Sequence, residues 1–169
     1  MAAKKNQTAK VKKVIDVLNK ARSMELFAIA QYMQQHYRLG DDNYTTLAAN
    51  MRKVAIEEMR HAEDFAERIF DIGGVPTQDH ASKAKLQQDV YAIYPYNSDV
   101  ELDTIEKYAG FAAVCRECGD IVSMRLFERI IEDEQRHQTY FDDTATHVKT
   151  LDKSFLAAVS GKDMDEEDD

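Results

Sequence analysis

The pattern Glu-x-x-His occurs twice in this chain, as Glu58-Met59-Arg60-His61 and as Glu134-Gln135-Arg136-His137, each inside a stretch whose apolar residues recur at helical spacing. Residues three apart on a helix share a face, so each copy aims a carboxylate and an imidazole at one place. His61 is in register with Val54 and Phe65, and His137 with Ile130 and Phe141. Those stripes must be buried if the helices pack. A single Glu-x-x-His is most often a surface hydrogen bond, but two with matching partners constrain the fold far more. Glu25, on an apolar face with Ala28, Ile29 and Tyr32, precedes Glu58 by 33 residues, and Glu101 precedes Glu134 by the same 33. The equal offset implies an approximate internal two-fold, in which each of two helical hairpins sets one lone Glu opposite one Glu-x-x-His. Phase selects Glu101 over Glu106: the former shares a face with Ile105, Tyr108, Ala112 and Cys115, the latter with Ala109, Gly110, Ala113 and Glu117. Tyr32 and Tyr108 each follow their lone Glu by seven residues, which predicts a phenol beside each carboxylate.

The rest of the chain agrees with an all-α fold. Six Gly, two Pro and no Trp, with many Ala, Leu, Glu, Lys, Met and Gln, favour helix almost throughout. The periodicity predicts a first helix from about Thr8 to Leu39, closed by Gly40, and a second to about Ile72, ended by Gly73-Gly74-Val75-Pro76. Residues 76 to about 96 are weakly patterned, and Pro76, His80 and Pro95 interrupt any helix there, so this stretch reads as a long crossover. A third helix starts between Val90 and Ser98 and runs to Cys118; a fourth spans about Ile121 to Thr150. Asp152 can cap a short fifth helix through Val159, stopped by Gly161. Four helices of roughly 25–30 residues, paired by short turns and joined by one long crossover, resemble the ferritin-like four-helix bundle. The expected organisation is an N-terminal arm (1–8), one ferritin-like domain (9–161) and a disordered acidic tail (162–169).

A chain of 169 residues and 19.3 kDa can bury a core without disulfides. Cys115 and Cys118 are too close in sequence to staple distant parts, and no N-terminal apolar stretch reads as a secretory signal, so a reducing, cytoplasmic setting is expected. The apolar runs are too short for a membrane span. A net charge of -9 disfavours nucleic acid, despite Lys4, Lys5, Lys10, Lys12 and Lys13 near the start, and suits cation uptake.

Four carboxylates and two imidazoles buried together as bare charges cost several kcal/mol per ion. Two divalent cations remove that cost, and two Glu with two Glu-x-x-His motifs form the ligand set of di-iron and di-manganese carboxylate bundles. A mixed oxygen and nitrogen set without thiolate argues against structural zinc. From about Val11 onward the chain resembles the bacterioferritins, in phrases such as Leu18-Asn19-Lys20, Gln31-Tyr32, Glu58-Met59-Arg60-His61-Ala62-Glu63 and Arg129-Ile130-Ile131-Glu132-Asp133-Glu134. The resemblance implies a ferroxidase centre of Glu25, Glu58, His61, Glu101, Glu134 and His137, with Glu58 and Glu134 bridging two irons. It implies oxidation of Fe²⁺ by O₂ or H₂O₂, storage as ferric mineral in a shell of roughly 24 copies with closed symmetry, and an electron donor for iron release.

Met59 is turned about one hundred degrees from Glu58 and so faces outward. With Ile56 on its own helix, and Leu26, Ala30 and Met33 on the first, it suggests a dimer face. The resemblance implies that Met59 ligates a haem iron at a two-fold interface, one thioether from each subunit, with Leu26, Ala30, Met33 and Ile56 as pocket walls. Two rival readings are a rubrerythrin-like di-iron peroxidase and a haem-holding shell without enzyme activity. The first lacks the two Cys-x-x-Cys pairs of an appended rubredoxin-like domain; the complete six-residue set argues against the second. Cys115-Arg116-Glu117-Cys118 reads as core packing. Glu57, Glu63, Glu67, Glu128, Glu132 and Asp133 read as a solvated acidic face.

Overall fold

The computed structural model describes residues 2–161, with side chains from Thr8 onward. The expected acidic tail lies outside the described residues, as do Met1 and the side chains of the expected N-terminal arm up to residue 7. Four helices account for nearly everything described: α1 (Ala2–Asp41), α2 (Thr45–Asp71), α3 (Val90–Cys118) and α4 (Ile121–Ala158). Between α3 and α4 the corner is tight because Gly119 takes the left-handed conformation that ends a helix, with φ of 83°, while the Asp120 carboxylate accepts from Ser123 N to start the next.

The crossover lies along α1. Thr77 N donates to Asn19 Oδ1 (2.7 Å), Ala81 N to the Ser23 carbonyl (2.8 Å), Lys85 N to Gln31 Oε1 (2.7 Å), and Gln35 Nε2 to Gln88 Oε1 (2.9 Å). The α1 partners climb from residue 19 to 35 as the crossover advances, a span of about 24 Å at the helical rise of 1.5 Å per residue. Consequently α3 starts at the far end and runs antiparallel to α1. Buried Gln35 and Asn97 bond each other, buried Gln31 pairs with the Lys85 backbone, and Gln31 and Gln35 both donate to Gln88 Oε1, so this polar seam leaves little unpaired.

One expectation needs correction: the crossover ends at Asp89 rather than about residue 96, so Pro95 lies inside α3, which starts under an Asp89 cap at Val90, the early limit of the expected range. The proline removes one backbone bond on a turn whose faces at Tyr91 and Pro95 are both exposed, where water can replace it. Burial of Val90, Ile93 and Tyr94 on the opposite side holds the helix together. The last helical stretch, to Ala158, is set off from the rest of α4 by a kink at Asp152 (φ 44°, ψ -122°), where two helical segments meet. There the Asp152 carboxylate accepts from Tyr91 Oη at 2.6 Å. One residue redirects the chain so that buried Leu156, with Phe155 and Val159, packs back towards Leu47 and the other core residues at that end.

The core has two halves. One gathers Tyr32, Leu39, Met51, Ile93, Tyr94 and Phe141; the other Leu18, Phe65, Tyr108, Cys115, Phe127 and Ile130. Along every helix the gap between the halves falls at the same level: Glu25 lies between Ala21 and Ala28, Glu58 and His61 between Ala55 and Phe65, Glu101 between Tyr94 and Tyr108, and Glu134 and His137 between Ile130 and Phe141. The polar cluster is therefore sandwiched by apolar layers.

Candidate metal centre

All six predicted residues are buried, none more than 4% exposed. Their ligand atoms form two groups of four, Glu25, Glu58, His61, Glu134 and Glu58, Glu101, Glu134, His137, with the atoms of each group within 4.8 Å of one another. Glu58 and Glu134 belong to both. Glu106, the rejected alternative on α3, is exposed.

The imidazoles point Nδ1 into the cluster. His61 Nδ1 is 2.9 Å from Glu58 Oε2 and 3.1 Å from Glu134 Oε1; His137 Nδ1 is 3.1 Å from Glu134 Oε2 and 3.0 Å from Glu58 Oε1. Each Nδ1 carries at most one hydrogen for two oxygens. Glu58 Oε1 and Glu134 Oε1 are left without a hydrogen bond of their own in a fully buried place. A divalent cation within each group would satisfy these oxygens, and the hard oxygen and imidazole donors suit iron or manganese.

On the far side of each ring sits a carboxylate that sequence reasoning had placed in solvent. Asp133 Oδ2 lies 3.2 Å from His61 Nε2, and Glu57 Oε2 lies 2.7 Å from His137 Nε2. Each reaches across from the opposite hairpin. A carboxylate on the outer nitrogen fixes the ring and leaves Nδ1 free for a cation. The signal was present: an acidic residue directly precedes both Glu-x-x-His motifs, as Glu57-Glu58 and Asp133-Glu134.

The tyrosines also cross over. Seven residues is two helical turns, about 10.5 Å, too far for a phenol to reach the carboxylate of its own helix. Instead Tyr32 Oη donates to Glu101 and Tyr108 Oη to Glu25. The antiparallel register of α1 and α3 produces both bonds, and the internal two-fold relates them.

Burial raises the Glu25 and Glu101 carboxyls well above their ordinary value, and the charges of Glu134 and Glu58 add to it. Burial would raise Glu58 too, but hydrogen bonds from His137 and His61 outweigh it and hold Glu58 at about 2. Burial works against protonating the imidazoles, yet the bonds to Glu134 and Glu58 push His61 up to about 11 and His137 to about 12. Without metal, protons therefore occupy the cluster. The folded chain retains protons that the unfolded chain loses above 4.5 for Glu25 and Glu101 and above 6.5 for the two histidines. Stability of the metal-free protein should therefore fall as pH rises from about 5 towards 9, while Glu58, which matters only as pH drops from 4.5 towards 2, contributes no slope there. With divalent metal replacing the protons the trend should flatten or reverse. Melting curves of metal-free and Mn²⁺-loaded protein across that range test this; a rising melting temperature for the metal-free form would contradict it.

Comparison with known proteins agrees. A model of the ferritin-like domain matches residues 15–151. Over 156 residues the chain is 54% identical to a bacterioferritin of Desulfovibrio desulfuricans, covering 92% of this chain and 87% of that one. The chain belongs to the bacterioferritin family. It is also 34% identical over 130 residues to the Brucella melitensis bacterioferritin, covering 77% and 81% of the two chains. An X-ray structure of the Desulfovibrio desulfuricans bacterioferritin, which follows that protein's diiron site in different catalytic states, matches with a TM-score of 0.91 at 53% identity over 92% of this chain and 91% of that one.

In this bacterioferritin chain Met59 is 54% exposed, and Leu26, Ala30, Met33 and Ile56 are half-buried. Bonds from Arg22 to the Ala62 carbonyl and from His36 Nδ1 to the Ala48 carbonyl fix α1 and α2 in a register that sets Ile56 and Met59 level with residues 25–28. A thioether thus stands on a continuous, partly apolar outer face. Cys115 is buried, which raises its thiol to about 12, and both cysteines are free. Such a thiol is inert packing.

Proposed function

We propose that this chain stores iron, oxidising Fe²⁺ with O₂ or H₂O₂ at the paired site and depositing ferric mineral inside a closed shell of about 24 copies. The observation that carries the reading is the symmetric pair of four-ligand groups sharing Glu58 and Glu134. Bound there, two Fe²⁺ ions each supply one electron, the two together reducing O₂ to the peroxide level or H₂O₂ to water. Glu25 with His61, and Glu101 with His137, would hold one ion each, while Glu58 and Glu134, which belong to both groups, would serve both ions. Tyr108 and Tyr32 orient the outer carboxylates Glu25 and Glu101; Asp133 and Glu57 keep the two rings aimed inward. The apolar layers on either side restrict water, which strengthens every charge interaction between them.

Haem binding at a two-fold interface through Met59, with Leu26, Ala30, Met33 and Ile56 as walls, is supported by the exposed thioether on a partly apolar face and by family membership. A cytoplasmic location fits the free thiols. Among the described residues no helix is long and apolar enough to cross a membrane.

Anomalous diffraction from iron-soaked crystals tests the site. Two peaks should appear inside the cluster in the parent protein. Glu101→Gln should weaken or empty the position nearer His137, whereas Glu106→Gln should leave both filled. Contacts to Glu106 in place of Glu101, or iron outside the cluster only, would overturn the assignment. A second result bears on the rings: Glu57→Ala removes the outer carboxylate of His137 and should lower metal affinity by about 10–100-fold at that position first. Metal titration by calorimetry reads this as a split between two formerly similar binding steps.

A further inference from the structure

The centre has an internal two-fold, but its two halves are not held alike. Advancing by 76 residues takes Glu25 to Glu101, Glu58 to Glu134, His61 to His137 and Tyr32 to Tyr108. The same step takes Gln35 to Phe111, Met51 to Phe127 and Ala21 to Asn97. Tyr108, which bonds Glu25, is therefore boxed by the rings of Phe65, Phe127 and Phe111, with centroids at 5.7, 5.4 and 6.1 Å. Tyr32, which bonds Glu101, has Phe141 at 5.4 Å, while Met51 and Gln35 stand where the other two rings would be. On this side Gln35 and Asn97 form a reciprocal amide pair between α1 and α3. Gln35 Nε2 donates to Asn97 Oδ1 and Asn97 Nδ2 to Gln35 Oε1, both at 2.8 Å, and neither side chain is more than 1% exposed.

We propose that Gln35 and Asn97 are positioning residues for the Glu101/His137 metal position, fixing the α1/α3 alignment through which Tyr32 orients Glu101. The inference rests on the reading of the cluster as a paired metal site. Gln35 lies three residues beyond Tyr32 and Asn97 four before Glu101, so the amide pair sits one turn from the Tyr32–Glu101 bond on the same seam. Short turns align α1 with α2 and α3 with α4, but α1 and α3 belong to different hairpins. Apolar faces tolerate a small slip between helices; an amide pair does not. A shift of one residue moves a side chain by about 1.5 Å and 100°, which parts both amide bonds and leaves their polar groups unpaired in a buried place. The same shift takes Tyr32 off Glu101. In the other half the aromatic box gives Tyr108 its place, so loss of the amides should be felt at one metal position and not at both.

Gln35→Met with Asn97→Leu replaces both partners by apolar groups of similar size, so neither amide is left alone, and the shell should assemble with its melting temperature held. In metal-free crystals of this variant the Tyr32 hydroxyl should leave Glu101 while Tyr108 stays on Glu25. In crystals soaked in limiting Mn²⁺, the anomalous peak beside His137 should weaken several-fold against the peak beside His61, relative to the parent protein. Titration calorimetry should show the matching loss in one of two binding steps. Gln35→Asn with Asn97→Gln keeps a reciprocal pair of the same combined length and should restore the parental ratio. Gln88→Ala, at a half-buried crossover position, removes one of the bonds that hold Gln35 and leaves the core alone. It should move the ratio in the same direction, and it decides the question if the double variant does not assemble. A parental ratio in these variants would mean that packing alone aligns α1 with α3, and equal weakening of both peaks would mean that the amides serve the fold as a whole; either result overturns the proposal. If the parent protein takes no Mn²⁺ inside the cluster, the fault lies with the paired-site reading instead.

Discussion

Glu58→Ala combined with His61→Ala should abolish rapid Fe²⁺ oxidation while the shell still assembles. Glu58 contributes to both four-ligand groups and His61 supplies the nitrogen of one, so the double change leaves that position only Glu25 and Glu134. The other loses a shared oxygen. Removing even a residue that merely orients a metal ligand costs about 10–100-fold, so loss of two direct ligands should lower the initial rate by at least about a hundredfold. Folding should survive, because the change removes a carboxylate and an imidazolium that neutralise each other and leaves the two apolar core layers intact. Mixing anaerobically prepared protein and Fe²⁺ with air-saturated buffer measures the rate, and light scattering measures the particle. A normal initial rate in intact shells would show that oxidation happens elsewhere.

The six cluster residues were legible because three constraints in the sequence agree. Helical phase placed Glu101 inward and Glu106 outward, and the structure has the first buried and the second exposed. The equal 33-residue offset paired the hairpins before any contact was known. What the sequence did not reveal is what depends on register between helices. A phenol does lie beside each lone carboxylate, but which one depends on register: Tyr32 and Tyr108 bond across α1 and α3, where only the antiparallel alignment brings residue 32 to 101 and 25 to 108. Glu57 and Asp133 face outward when each helix is taken alone; they become partners of His137 and His61 only because α2 and α4 approach each other at that level. Pro95 misled for a different reason. Its local preference against helix is outweighed by the Asp89 cap and by the burial of Ile93 and Tyr94, which composition does not register.

Met59→Leu should eliminate the bis-thioether spectrum of bound haem in one step. The substitution keeps an unbranched-to-branched side chain of similar bulk on an exposed position, so the fold and the metal cluster are untouched, and only the sulfur is lost. With one thioether from each subunit at a two-fold axis, as proposed, a single substitution would remove both thioethers together and leave no half-ligated state. Apolar contact with Leu26, Ala30 and Ile56 could still hold a porphyrin weakly, which is why haem content alone is a poor readout and the spectrum of bis-thioether ligation is the decisive one. Met33→Leu is the informative companion. Met33 lies on α1, half-buried and packed partly against the core, so its sulfur is less available than that of Met59. Reconstitution of both variants with excess haem should give the bis-thioether spectrum in Met33→Leu and not in Met59→Leu. The opposite pattern would move the ligand to α1, and survival of the spectrum in both would mean that some other side chain holds the iron.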